Sequence, residues 1–141
     1  MGKYFTRQEL TYSSIAKKHN IENTPSEEVI EHLEELIGFI DKVRAAWGSA
    51  LLVSCGYRCE ELNTKVGGVK TSAHKIGYAV DLVPANNKKM QFFEFFKEYL
   101  KDKDFDELLL ETNANGAVWI HFALKSIQGK QRRKIKMLES K

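Results

Sequence analysis

The sequence has no long hydrophobic stretch. Among its 141 residues, no segment approaches the roughly 20 consecutive apolar residues that a membrane-spanning helix needs. The beginning of the chain, MGKYFTRQELTYSS, also lacks the apolar centre of a secretion signal. We therefore expect a chain that has no membrane segment and is synthesised in the cytoplasm without a signal peptide.

Cysteine is scarce as well. The two cysteines, Cys55 and Cys59, lie close together in SCGYRC. Structural zinc sites generally need four cysteine or histidine ligands in paired clusters, and no second such pair is present. Disulfides are rare in proteins made without an export signal. This pattern favours two free thiols and is poor evidence for a structural zinc site.

Neither sign of charge is in large excess. With 22 Lys and Arg against 19 Asp and Glu, the net charge is +3. The basic excess collects near the end of the chain, in Lys130, Arg132, Arg133, Lys134 and Lys136. Such a cluster can contact nucleic acid or an anionic polymer, but a solvated basic tail or edge strand explains it at least as well. We expect no specific nucleic-acid partner.

The composition is that of one folded domain. Hydrophobic residues make up 43% of the chain and charged residues 29%, which is typical of globular proteins. The length is close to the common size of a single domain, and we expect one domain over residues 1–141.

Capping motifs and apolar spacing predict the helices. Capping boxes pair Thr6 with Glu9 and Thr24 with Glu27, and apolar spacing continues the second helix to Trp47. A short helix is predicted at 59–66. One more helix carries Met90, Phe93, Phe96 and Leu100 on one face and begins after a cap at Asn86 or Asn87.

Short apolar or alternating segments predict five strands, at 50–54, 79–83, 107–111, 117–124 and 132–138. The Asn-Gly pair in TNANG is a strong turn signal that joins the third and fourth strands in a hairpin. Lysines in the last segment are typical of an edge strand. The predicted fold class is α+β, with helices packed against a small, mainly antiparallel sheet.

Two of these strands carry a polar residue on a face that is otherwise apolar. Strand alternation places Asp81 beside Ala79, and His121 beside Ala123. Burying a carboxylate is costly unless it is paired, hydrogen-bonded or bound to a metal. Two imidazoles and a carboxylate form a known zinc ligand set, and the nearby His74 offers the second imidazole. Hydrogen bonding without a metal is the alternative explanation of the same spacing.

Several segments, taken together, resemble a known family. They are KYFTRQEL, IENTPSEEVIEHLEEL, SCGYRCEELNTKVGG, SAHKIGYAVD, and FDELLLE with WIHFAL. In this order they resemble the small zinc D-Ala-D-Ala carboxypeptidase-like peptidases, a group that includes phage endolysins and shares its fold with the hedgehog signalling domain. The most specific part of the resemblance is SxHxxGxAxD followed by WxH.

The resemblance implies one zinc ion, with His74, Asp81 and His121 as its ligands. It also implies that Arg58, in CGYR, binds a substrate carboxylate or the developing oxyanion. Ser72 is expected beside the metal as a hydrogen-bonding residue, or as the cap of a turn.

The expected general base is less straightforward. Many members of the family have an acidic residue three positions before the last histidine, where this chain has Val118. Related members use a glutamate at the end of the preceding strand, and Glu111 is similar to that residue. We expect Glu111 to be the base, lying across the hairpin from His121, with Trp119 in the wall of the substrate site or in the core.

Two further residues differ from the family pattern. Cys55 stands where a small serine is common, and Tyr78 stands where a smaller or acidic residue is expected. The resemblance implies that either change alters the pocket without removing the metal.

The implied function is hydrolysis of peptidoglycan stem peptides by a carboxypeptidase or endopeptidase. The absence of a signal peptide leads us to expect a phage or prophage lysin that acts at the cell wall after release. The alternative, which Val118 motivates, is a catalytically weak or inactive zinc-containing module that binds the wall or belongs to a phage particle. We expect a monomer with no membrane partner.

Overall fold

A computed structural model describes residues 2–139 and confirms the α+β class. The helices are α1 (Arg7–Thr11), α2 (Ser14–Lys18), α3 (Glu27–Trp47), α4 (Glu60–Lys65) and α5 (Lys89–Tyr99), and a 3-10 helix covers Ala73–Ile76. The strands are β1 (Leu51–Cys55), β2 (Ala79–Pro84), β3 (Glu107–Thr112), β4 (Val118–Ala123) and β5 (Lys134–Glu139). None of the helices within residues 2–139 combines the length and hydrophobicity needed to cross a membrane.

The five strands form one sheet in the order β1-β2-β4-β3-β5. The first three pairings along this order are antiparallel, and β5 joins β3 in parallel at the edge. The predictions of a mainly antiparallel sheet, of a β3–β4 hairpin and of a basic edge strand are therefore confirmed. Because β1 and β5 lie at opposite edges, residues that follow β1 and precede β5 can enclose a site between them.

The two faces of the sheet have different roles. On one face, Leu82 of β2, Phe122 of β4 and Leu108 of β3 are fully buried among residues of α3 and α5. The Phe122 ring lies 5.2 Å from that of Phe39 and 4.9 Å from that of Phe96. The alternate residues face the other side, which carries polar side chains, as strand geometry requires.

Two of the predicted helix starts are wrong. Helix α1 does begin with the Thr6–Glu9 capping box. Helix α3, however, is capped by Ser26, whose hydroxyl accepts a hydrogen bond from the backbone N–H of Val29, so Thr24 and Pro25 precede the cap. A serine two residues after Thr24 offers an equally good cap, and sequence spacing alone does not choose between them.

The start of α5 also differs from the prediction. The helix begins at Lys89 after Lys88, which makes no side-chain capping bond, while Asn86 accepts a bond from the backbone of Lys88 in the preceding turn. Met90 is 47% exposed rather than part of the buried face, and Phe92 takes a fully buried position instead.

Helix α3 fixes the loop that carries His74. His32 donates from Nδ1 to the carbonyl of Ile76 at 2.6 Å, and Tyr78 donates its hydroxyl proton to Glu35 at 2.7 Å. Gly77 lies between them with φ of 84°, as expected for a sharp turn into β2. A Cβ at Gly77 would lie 2.9 Å from the carbonyl oxygen of Val29, so the loop and the helix touch through backbone atoms.

We expect Gly77→Ala to lower the free energy of unfolding by about 3 kcal/mol, because a positive φ and a clash with rigid backbone add together. Gly67 is the matched control, since its φ is 75° but a Cβ there would meet nothing within 4 Å. Gly67→Ala should cost about 1 kcal/mol, the penalty for the left-handed conformation alone. Urea unfolding measures both values, and equal losses would contradict the close contact with Val29.

Candidate metal centre and active site

Asp81 and His121 lie directly opposite each other on β2 and β4. Nδ1 of His121 is 2.9 Å from Oδ1 of Asp81, and Nε2 of His74 is 3.3 Å from the same oxygen. The two imidazole ring centroids are 5.2 Å apart. Each of the two predicted histidines thus directs one nitrogen at the same oxygen of Asp81. Among the described residues, however, the groups whose ligand atoms all lie within 4.8 Å of one another are Cys55 with His74 and Asp81, and Glu111 with Asp81 and His121. Asp81 belongs to both groups, and the two histidines are not in the same one.

Neighbouring acceptors fix the orientation of both rings. Nδ1 of His74 is 2.7 Å from the carbonyl of Gly56, which can only accept, so Nδ1 carries the proton and Nε2 faces Asp81. Nε2 of His121 lies 3.5 Å from Oε1 of Glu107, which leaves Nδ1 directed at Asp81. Histidines that bind metals are commonly held in this way, with the remote nitrogen donating to a carbonyl or carboxylate.

The electrostatics of the cluster suit a divalent cation. Burial lowers the pKa of both His74 and His121, but the charge and hydrogen bonds of Asp81 outweigh burial and raise both values. Burial raises the pKa of Asp81, and the two imidazoles outweigh it and hold that pKa below its usual range. One divalent ion with two neutral imidazoles has the same charge as two protonated imidazoles. The cluster can therefore exchange two protons for one metal ion without burying an uncompensated charge.

Glu111 lies beside this cluster, although not where the sequence placed it. Leu109, rather than Glu111, is opposite His121, and Glu111 is opposite Trp119. Because Trp119 and His121 share a face of β4, Glu111 is the diagonal neighbour of His121, and its carboxylate lies within 4.8 Å of ligand atoms of Asp81 and His121. Oε1 of Glu111 accepts a hydrogen bond of 2.9 Å from Nε1 of Trp119, which orients the carboxylate.

Val118 lies on the opposite face of β4 from His121. Its position is three residues before His121, so strand alternation turns its side chain away from the site. Val118 instead packs against the hydrophobic core. In this register the Val118 side chain lies away from the metal ligands, and Glu111 is an acidic side chain next to them.

Ser72 connects Arg58 with the His74 loop. Its hydroxyl accepts a bond of 3.2 Å from the backbone N–H of His74 and one of 3.3 Å from Nη2 of Arg58. Ser72 therefore caps the 3-10 helix, as the second of its two predicted roles requires, and it also holds the arginine. The backbone N–H of Arg58 donates to the carbonyl of His74 at 3.0 Å, which ties this loop to the segment that follows β1.

A cavity of about 630 Å³ joins these groups. Its lining includes all seven predicted site residues: Arg58, Ser72, His74, Asp81, Glu111, Trp119 and His121. It also includes four charged residues that sequence reasoning did not assign to the site: Asp106, Glu107, Arg132 and Lys134. Glu107 was detectable in principle, since it alternates with residues 109 and 111 on one strand. No sequence pattern indicated that Arg132 and Lys134 line the site.

The two residues that differ from the family pattern, Cys55 and Tyr78, lie in different places relative to the cavity. Both cysteines are free thiols, as predicted. Cys55 is opposite Asp81 on β1, and its sulfur is 4.0 Å from Nδ1 of His74, so a thiol does lie next to the ligands. Tyr78 is absent from the cavity lining; it stacks on His32 at 4.1 Å on the α3 side. The Tyr78 side chain therefore contributes nothing to the described lining of this cavity.

The mixed sheet with its histidine and aspartate cluster is consistent with a metallopeptidase, and comparison with protein families leads to the same class. Residues 3–123 match the family model described as Peptidase M15. The chain belongs to the Peptidase M15 family, which makes it a hydrolase of peptide bonds in a family that depends on zinc. No curated protein matched the chain in the search for relatives.

Proposed function

We propose that the protein is a zinc peptidase that hydrolyses peptidoglycan stem peptides, with His74, Asp81 and His121 as the zinc ligands. The observation that carries this proposal is the convergence of Nε2 of His74 and Nδ1 of His121 on one oxygen of Asp81. Two nitrogen donors and one oxygen donor form a ligand set that catalytic zinc centres commonly use.

Zinc, when bound, polarises the scissile carbonyl and lowers the pKa of water to roughly 7. Glu111 is the general base in this proposal. Trp119 holds Oε1 of Glu111, so Oε2 is the oxygen that takes the proton of the attacking water and passes it to the leaving amine.

Arg58 binds the oxyanion or a carboxylate of the substrate. Its guanidinium lines the same cavity as the ligands, and Ser72 holds one end of it through Nη2. An arginine fixed in this way offers charge-assisted hydrogen bonds to an anionic oxygen without first losing much conformational freedom. Trp119 contributes wall to the cavity beside the expected peptide.

Amino-group release from purified peptidoglycan tests this function. We expect the zinc-loaded protein to release new amino groups, a chelator to abolish the release, and added zinc to restore it. Free D-alanine among the products would identify a carboxypeptidase, whereas amino groups without D-alanine would identify an endopeptidase. No zinc-dependent release of either kind would contradict the proposal.

The alternative, an inactive wall-binding or phage structural module, has a distinct outcome in this assay. Such a module would sediment with peptidoglycan without releasing amino groups. Val118 motivates this alternative, whereas the carboxylate of Glu111, within 4.8 Å of ligand atoms of Asp81 and His121, supports the peptidase. Action at the wall as a phage or prophage lysin, and a monomeric state, remain parts of the proposal.

Glu107 should support the metal through His121. We expect Glu107→Ala to weaken zinc binding about ten- to a hundredfold, because carboxylates that hold a ligand histidine typically contribute that much. Competition with a chromophoric chelator measures the affinity. Glu98→Ala is the control, since Glu98 is exposed and pairs with Lys101. Equal affinities in the two variants would refute the role of Glu107.

A further inference from the structure

The segment after β4 brings two cations to the cavity at the edge remote from Arg58. Arg132 and Lys134 line the cavity just before and at the start of β5, whereas Arg58 follows β1 at the other edge of the sheet. Both residues lie beyond the stretch 3–123 that matches the family. This end of the cavity is therefore a feature of the chain that the family match does not describe.

Arg132 is fixed in place by a buried carboxylate. Its Nε and Nη2 donate to the two oxygens of Asp106 at 2.8 and 2.9 Å, and its backbone N–H donates to Oδ1 at 3.2 Å. The side chain of Asp106 is 1% exposed, while that of Arg132 is 50% exposed. The guanidinium is thus anchored on one edge and open on the other, so a ligand would meet a cation that needs little ordering.

Arg132 and Lys134 still have N–H donors available after they pair with Asp106 and Glu107. Nη2 of Arg132 is 3.4 Å and Nζ of Lys134 is 3.5 Å from Oε2 of Glu107. Nη1 of Arg132 has no acceptor among the described residues, and the ammonium of Lys134 has three N–H donors for one long contact. A carboxylate could therefore bind both side chains while Asp106 and Glu107 keep their present partners.

We propose that Arg132 and Lys134 form a second anion subsite, which binds a carboxylate of an acidic peptide substrate. This inference rests on the proposed peptidase function. β5 is two strands away from β4, or roughly 10 Å at the usual strand spacing, and an extended peptide covers that distance in about three residues. The bound carboxylate therefore belongs to a residue two or three positions from the scissile bond.

Two synthetic peptides test the subsite. They contain the same D-alanine bond and differ only in whether one glutamate, three residues from that bond, has a free or an amidated side-chain carboxylate. We expect wild-type protein to prefer the free form about tenfold in kcat/KM, mainly through KM, because charged hydrogen bonds of this kind discriminate by about that factor.

Lys134→Gln should reduce this preference to about threefold or less, since one of the two cations is lost. The matched control is Lys130→Gln, which removes the same charge from the same segment outside the cavity lining and should leave the tenfold preference unchanged. Arg132→Lys keeps a charge beside Asp106, so the fold is retained, and should also lower the preference. Thermal unfolding of each variant verifies that it is folded.

The outcomes separate the subsite from the function. If wild-type protein cleaves both peptides equally well, the subsite is wrong and the peptidase function stands. If neither peptide is cleaved, calorimetric titration of wild-type protein with the same pair decides. Tenfold tighter binding of the free form supports the subsite without the function, and equal binding overturns both.

Discussion

Glu111→Gln is expected to lower kcat for peptide hydrolysis by about 10² to 10⁴, the usual contribution of a general base, while zinc affinity stays close to wild type. The substitution is nearly isosteric, and the amide oxygen can still accept the hydrogen bond from Nε1 of Trp119. The change therefore removes the proton acceptor without removing the contact that positions the side chain. Single-turnover cleavage with saturating substrate measures the effect on the chemical step.

The control for this experiment is Glu94→Gln, because Glu94 is exposed on α5 and pairs with Lys97 away from the cavity. It should retain wild-type kcat. If Glu111→Gln also cleaves at the wild-type rate with one zinc bound, another group is the base and the assignment to Glu111 is wrong.

His74→Ala is expected to weaken zinc binding by more than about a hundredfold and to abolish hydrolysis. Loss of a direct ligand should exceed the ten- to hundredfold effect of removing a group that only orients a ligand. His74 is 3% exposed, and its ring contacts both Asp81 and the carbonyl of Gly56, so the alanine variant loses a buried nitrogen donor that the surrounding structure holds in place.

His19→Ala provides the comparison, since His19 lies exposed at the end of α2 and is not among the cavity residues. Equilibrium dialysis with metal analysis should give one zinc ion per chain for this variant and for wild type. A full equivalent of tightly bound zinc in His74→Ala would show that His74 is not a required ligand, and the proposed ligand set would have to be abandoned.

Strand alternation was sufficient to predict the faces of the sheet that carry the ligands. The register confirms that Asp81 shares a face with Ala79, and His121 with Ala123, because a residue's face depends only on its parity within its own strand. Strand alternation does not predict that Asp81 and His121 are adjacent. Their adjacency depends on which strands are neighbours, and only the resemblance of SxHxxGxAxD and WxH to a family pattern brought the two residues together.

The register of the β3–β4 hairpin could not be predicted from the sequence. Register depends on turn geometry, and the turn after β3 is closed by Asn113, whose side chain accepts bonds from the backbone of Asn115 and Ala117. This turn sets Glu111 opposite Trp119 and turns Val118 into the core.

The basic segment near the end of the chain shows the same limit. Its residues were predicted to be a solvated edge, and β5 does lie at the edge. The bidentate pair between Arg132 and Asp106 joins residues 26 positions apart in sequence. No local sequence pattern predicts a pair with this separation. Long-range ion pairs of this kind follow from the packing of β5 beside β3.

A crystal structure of the zinc-loaded protein, with the metal located by anomalous scattering, tests the central claim most directly. We predict one zinc ion bound by Nε2 of His74, Nδ1 of His121 and a carboxylate oxygen of Asp81, at the usual distances of about 2.0 to 2.2 Å. Glu111 should remain bonded to Trp119 outside the coordination sphere. A zinc ion ligated by the Glu111 carboxylate or by the Cys55 thiolate in place of one of these ligands would contradict the account.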